Sequence, residues 1–288
     1  MLIMGGLVFV LLCVFGSFVA SGGAIGPLVA SMPFELLTIL GAAIGTFVMA
    51  SSMDDLKHAA KGFAKALKGP AYGRADYLDM LSLLFFFVRL AHAKGVMALE
   101  AHIENPTESA AFAAFPKVRD NVRARNMICD YLRMIGMNLT DPYQLDEIMS
   151  RELKKNTREE MHFPHALQSI SDALPALGIV AAVLGVIKTM ASISKPPIVL
   201  GEMIAGALVG TFLGVLLAYG IVAPIASRLR SVIEEEASYF GLIRSVIVAH
   251  LQGNPPPVSV EIGRKEIPGA IMPTFQEVEQ AMATLSIG

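Results

Sequence analysis

From Met1 to Met53 the chain carries a single charged side chain, Glu35. A stretch that long and that apolar cannot serve as a soluble surface, so a membrane class is the first expectation. About 20 mostly apolar residues cross roughly 30 Å of hydrocarbon. Four segments of the 288-residue sequence meet that requirement: Met1–Ala20, Leu36–Met53, Ala173–Ser192 and Met203–Ser227. Short links, Ser21–Glu35 and Ile193–Glu202, join them in pairs. The expected fold is therefore an all-α membrane protein with four transmembrane helices in two hairpins and a large helical cytoplasmic domain. Its boundaries read 1–53 for the first hairpin, 54–169 for the cytoplasmic block, 170–227 for the second hairpin and 228–288 for a helical extension and tail. The N-terminal run has no basic residue ahead of it and is too long for a signal peptide, so it reads as a retained span.

Orientation follows the basic residues. Residues 51–169 hold 16 of the 23 Lys and Arg side chains, and Lys57, Lys61, Lys65 and Lys68 lie close to the second span. That places the block, the tail and both termini on the cytoplasmic side, with the hairpin tips outside. The two cysteines, Cys13 and Cys129, make no disulfide framework. No basic cluster points to nucleic acid. No phosphate loop, metal-ligand spacing or nucleophile motif points to an enzyme or a cofactor.

Within the cytoplasmic block, Arg119–Gly136 and Tyr143–Arg158 read as separate helices. Arg228–Gln252 continues a helical period until Gly253-Asn254-Pro255-Pro256-Pro257. Span four places Gly206, Gly210, Gly214 and Ala218 on one face. Small residues at that spacing let helices approach closely in lipid, either within the chain or against a partner subunit. Thr211 is the polar residue of that helix, a backbone-bonded hydroxyl or a lining of an ion path. Pro175 follows two capping candidates, Ser171 and Asp172, and fits the first turn of span three. Pro224 sits where helical periodicity continues, so it should kink the helix. Glu35, Lys188 and Glu202 read as span-end charges that snorkel to the interface. No carboxylate then lies at mid-membrane, and a titrating acid for any ion path has to come from another chain. Arg89, His92, Lys94 and Glu100 read as charges along one cytoplasmic helix, either a solvated face or a docking face.

Several long segments together resemble one family. ALVGTFLGVLLAYGIVAP at Ala207–Pro224 and LPALGIVAAVLGV at Leu174–Val186 are similar to signature stretches of MotA stator subunits. ALEAHIENP at Ala98–Pro106 and GNPPPVSVEIGRK at Gly253–Lys265 resemble two further stretches, in the same order. The resemblance implies an inner-membrane stator subunit. Five such chains would ring a dimer of a MotB-like B subunit, whose aspartate carries the ion, and the cytoplasmic loop would push on the rotor protein FliG. It implies that Pro175 and Pro224 couple ion flow to shape, that Glu100 faces the rotor, and that Glu152 is a further loop acid. The family's loop arginine falls at His92, a departure. Either Arg89 or Lys94 then supplies the positive charge, or the rotor contact differs. Sodium-driven relatives carry threonine where this chain has Ala182, and Thr211 alone offers too few oxygens for dehydrated sodium, so proton coupling is expected. The alternative is an energiser resembling ExbB or TolQ, which has three spans. A stand-alone transporter is disfavoured by the lack of a midplane charge.

Overall fold

The structure is a computed structural model that describes residues 2–50, 62 and 64–285. Lys57, Lys61 and the end of the expected second span, residues 51–53, lie outside the described residues. Among the described residues every regular element is helical. Helix α1 runs Leu2–Ala20 and α2 runs Ile25–Ala50. Helix α3, Arg74–Lys94, is followed by a 3-10 turn over Val96–Leu99. Four short elements come next: α4 (Glu100–Ile103), α5 (Ala110–Ala113), α6 (Pro116–Asp120) and α7 (Val122–Gly136). Helix α8 extends over Pro142–Met190. Helix α9, Pro197–Val215, passes through a π-helical segment, Leu216–Val222, into α10, Ala223–Leu251. Two short helices, α11 (Pro256–Arg264) and α12 (Phe275–Ala283), end the chain. Four of these helical stretches have the length and composition to cross a membrane.

Contacts divide the chain into two units, each assembled from two separated segments. The first comprises residues 1–69 and 160–232 and contains all four apolar stretches. The second comprises residues 70–159 and 233–288. Its core gathers Tyr77, Leu84, Phe87, Phe112, Ile128 and Tyr239, all essentially inaccessible to solvent. The termini of its helices follow local chemistry. The Asp76 carboxylate accepts from the Gly73 N–H at 2.8 Å where α3 begins. Gly95, at φ 80°, ends α3 in a conformation that side-chain-bearing residues rarely adopt. Asn121 caps α7 by accepting from the Ala124 N–H at 3.1 Å. Thr274 and Glu277 form a capping box at α12.

Four expectations are corrected. Helix α2 begins at Ile25 rather than Leu36 and carries Pro33 inside it, so Glu35 lies ten residues into a membrane helix instead of at its end. A proline interrupts one backbone bond, and neighbouring helices hold the rest of the helix in place. The helix expected over Tyr143–Arg158 and the third span are one helix, α8, so Pro175 is an interior proline and not a first-turn residue. Arg89, His92 and Lys94 share α3, but Gly95 separates them from Glu100, which opens α4. The helix expected over Arg119–Gly136 likewise divides at Asn121, whose extended backbone serves as the cap of α7.

Candidate functional site

The membrane unit is held by close backbone contact. A Cβ on Gly214 would lie 2.7 Å from the Leu174 carbonyl oxygen and 2.9 Å from the Gly178 Cα. A Cβ on Gly178 would lie 2.8 Å from the Gly210 carbonyl, and one on Gly185 would lie 2.6 Å from the Ala207 Cβ. The small-residue face of α9 therefore meets α8 at backbone distance. Gly206 faces the Ser31 hydroxyl of α2, and Gly210 faces Glu35 Oε2 and the Ala182 backbone N. Gly206, Gly210, Gly214 and Ala218 are all buried inside the chain. Their small size is accounted for by contact within the subunit, the first of the two readings the spacing left open.

Ala218 does more than pack. Its carbonyl accepts a hydrogen bond from the Ser171 hydroxyl at 2.9 Å and also from the Ala223 N–H five residues on. The second bond belongs to the π-helical segment. Pro224 has no N–H to offer Gly220, and its ring would strike that carbonyl in a regular α-helix. The wider π turn immediately before it makes room. The interior Pro175 in turn leaves the Ser171 carbonyl without its usual donor. The hydroxyl of that same serine spans the gap to Ala218. Ser171 and Ala218 thus tie together the backbones that the two prolines loosen. The sequence marked Ser171 only as a possible cap, because serine inside a helix carries no visible signal of a partner 47 positions away. Thr211 and Ala182 are half-buried on α9 and α8.

In the second unit, Arg89, His92, Lys94 and Glu100 are all exposed. The Arg89 guanidinium stands 5.3 Å from the centre of the Phe85 ring. His92 faces His250 of α10, ring centres 6.3 Å apart. The His250 Nδ1 is buried without a hydrogen-bond partner. Burial first, and the neighbouring His92 second, push the His250 pKa below that of free imidazole, against the pull of Asn254. Glu152 does not join the exposed charges. It is half-buried, and its carboxylate accepts a short hydrogen bond from the Tyr131 hydroxyl, linking α8 to α7. That bond engages one carboxylate oxygen of Glu152 inside the unit. The reading also missed Arg244, whose Nε and Nη2 hold both oxygens of Asp146 at 2.7 and 2.9 Å and clasp α10 to α8. Burial raises the Cys129 thiol to about 11, which leaves it protonated and unreactive at neutral pH. Among the described residues no group of three metal-ligating side chains is assembled.

Comparison with known proteins places this architecture. Residues 4–95 match the motility protein A N-terminal family, and residues 118–241 match the MotA/TolQ/ExbB proton channel family. Motility protein A of Escherichia coli is 36% identical over 280 residues, covering 97% of this chain and 94% of that protein. The chemotaxis protein LafT of Vibrio parahaemolyticus is 31% identical over 278 residues, covering 96% and 97% respectively. The fold is also that of a Campylobacter jejuni MotAB structure, with a TM-score of 0.73 at 17% identity, covering 93% of this chain and 95% of that one. A flagellar MotAB stator complex from Bacillus subtilis matches with a TM-score of 0.66 at 19% identity, over 96% and 98%. With identity of this order along nearly its whole length, the chain belongs to the motility protein A family, within the MotA/TolQ/ExbB proton channel family.

Proposed function

We propose that the chain is the A subunit of a flagellar stator. In this reading several copies, five by resemblance to the family, surround a dimer of a MotB-like B subunit. Protons passing between them change the shape of the A subunits, and the cytoplasmic block turns the rotor protein FliG. Both hairpin tips face outward, and the block and tail lie in the cytoplasm. Arg89, His92, Lys94 and Glu100 present the mixed charge that meets the rotor. Pro175 and Pro224 supply the deformable points, with Thr211 and Ala182 beside the proton path.

The observation that carries this reading is the Ser171–Ala218 bond between two helices, each carrying an interior proline. The prolines remove backbone bonds and so lower the cost of bending there, while the cross-link makes α8 and α9 bend together. Helices α8 and α10 each contribute residues to both units. An energiser of the ExbB or TolQ kind is less well supported, because the N-terminal match and the full-length relatives are motility proteins. The family is one of channel subunits and not of enzymes.

The test is complementation. The chain, expressed with the B subunit of its own operon in a cell lacking its stator, should restore flagellar rotation that stops when the proton gradient is collapsed. Pro175→Ala should impair swimming at near-normal protein level. Rotation that persists without a proton gradient, or wild-type swimming by the Pro175→Ala variant, would count against the reading.

A further inference from the structure

The sequence alone left this chain without an acid inside the membrane, and the structure changes that. Glu35 sits ten residues beyond the start of α2, about 15 Å along the helix axis at 1.5 Å per residue. Its Oε2 would lie 2.8 Å from a Cβ on Gly210, which is also 3.1 Å from the Ala182 backbone N. Glu35 therefore shares its level with Gly210 and Ala182, and Thr211 is the next residue along α9. It is not at the end of its span.

Glu35 also borders a cavity of about 530 Å³, lined in part by the first turns of α2 and α9 at Gly26, Pro27 and Val199. Ser31 and Glu35 from α2, Lys188 and Thr189 from α8, and Glu202 and Gly206 from α9 line it. Its polar side chains, set among apolar ones such as Phe34, Val199 and Met203, offer hydrogen-bond partners to water. Lys188 and Glu202 are exposed and of opposite sign, and the Lys188 charge also acts on the Glu35 carboxylate across the cavity. Ionisable groups inside membrane helices are costly to keep and tend to mark ion pathways. Gly210 gives this carboxylate its room, since any larger side chain there would displace it.

We propose that Glu35 is a proton relay supplied by this chain itself, between the water of the outer cavity and the acid of the B subunit. This rests on the stator reading above. In the step, a hydronium in the cavity protonates the Glu35 carboxylate and leaves water behind. The neutral acid then releases its proton on the inner side to a water or to the B-subunit carboxylate, and returns to its charged form. Lys188 on α8 and Glu202 on α9 are the other charged groups facing this cavity, and they set how readily the first transfer occurs.

The experiment uses the full complex with its B subunit and compares Glu35→Gln and Glu35→Asp with wild type. Torque per stator is read at stall, and rotation speed is read at low load across external pH 6 to 8. At low load the rate of proton transit limits speed, whereas stall torque reflects the energy per proton. Glu35→Gln should cut low-load speed at least three-fold and flatten its pH dependence, with stall torque per stator unchanged. Glu35→Asp should recover more than half of the lost speed. Wild-type low-load speed in Glu35→Gln would overturn the relay. So would an equal loss of stall torque and speed that aspartate does not relieve, which would mark Glu35 as a filler of space beside Gly210. If the wild-type complex fails to drive rotation at all, the stator reading itself falls, and the two failures are thereby told apart.

Discussion

The membrane unit and the second unit are both helical, yet they are held together by different forces. In the second unit large side chains do the work: Tyr77, Phe87, Phe112 and Tyr239 fill one continuous core. Tyr72 stacks on Tyr239 with ring centres 3.8 Å apart, and Arg123 stands 4.1 Å from the centre of the Phe240 ring. Water drives that burial. The membrane unit has a small core centred on Ile39, Leu174, Val209 and Leu213, while Phe9, Leu37, Ile187 and Leu208 face outward. Lipid is as apolar as leucine, so outward leucines cost nothing there and cohesion comes from close backbone approach and internal hydrogen bonds. A glycine in one unit is therefore not equivalent to a glycine in the other.

The sharpest test of that contrast is Gly214→Val. Its branched side chain would enter space already occupied by Leu174 and Gly178 backbone atoms, which cannot move aside as a side-chain tip can. Loss of folded complex from the membrane is expected, read as the yield of detergent-extracted complex by size-exclusion chromatography. A normal yield would break the comparison. In the second unit the equivalent injury is a cavity. Phe112→Ala, at a fully buried ring, should cost about 3–5 kcal/mol. The chain has no tryptophan, so thermal unfolding is best followed by circular dichroism. Ser171→Ala removes the buried bond to Ala218 and should cost about 1–2 kcal/mol. It should also lower torque per stator, whereas a purely packing role would leave torque intact in the complexes that assemble. Gly241→Ala completes the contrast. Nothing lies within 4 Å of a Cβ there, inside α10, so the substitution should stabilise by about 0.5–1 kcal/mol.

The second unit should also be acid-sensitive in a way the glycine contacts are not. Burial lowers the pKa of His250, and of His102 beside Phe86 and Phe87. The unfolded chain binds those protons near the ordinary histidine pKa of about 6.5, and the folded chain resists them. Their contribution to stability is whole above that pH and is lost as pH falls below it. His250→Gln should therefore flatten the decline in melting temperature between pH 7.5 and 5.5. An unchanged slope would remove His250 from the account.

Much of this was legible in the sequence. Apolar runs exposed the membrane helices, and the continuing period past Pro224 foretold α10. What misled was proline. Reading Pro175 as a first-turn residue cut α8 at a place where the helix runs through. The start of α2 was set by the apolar count, which stopped at Glu35 and so placed the acid lodged against Gly210 at a span end. Glycine misled in the opposite sense, since Gly95 parts Glu100 from Arg89 where charge pattern alone suggested a single face. The clasp of Arg244 on Asp146 was out of reach for a different reason. It joins residues 98 positions apart, and no local pattern marks it.

The π-helical stretch has one more implication, for what the gene can tolerate. A wide turn of this kind holds an additional residue relative to an ordinary helix, so it acts as a phase offset in the winding. Rewinding Leu216–Val222 as ordinary α-helix with no residue lost would rotate everything downstream by about 100°. Ile225, Ala226 and Leu229, now turned inward, would then swing toward lipid. A change that merely closes the wide turn would here reassign which side of the helix is the inside, and the loss of one residue with it would restore the original side.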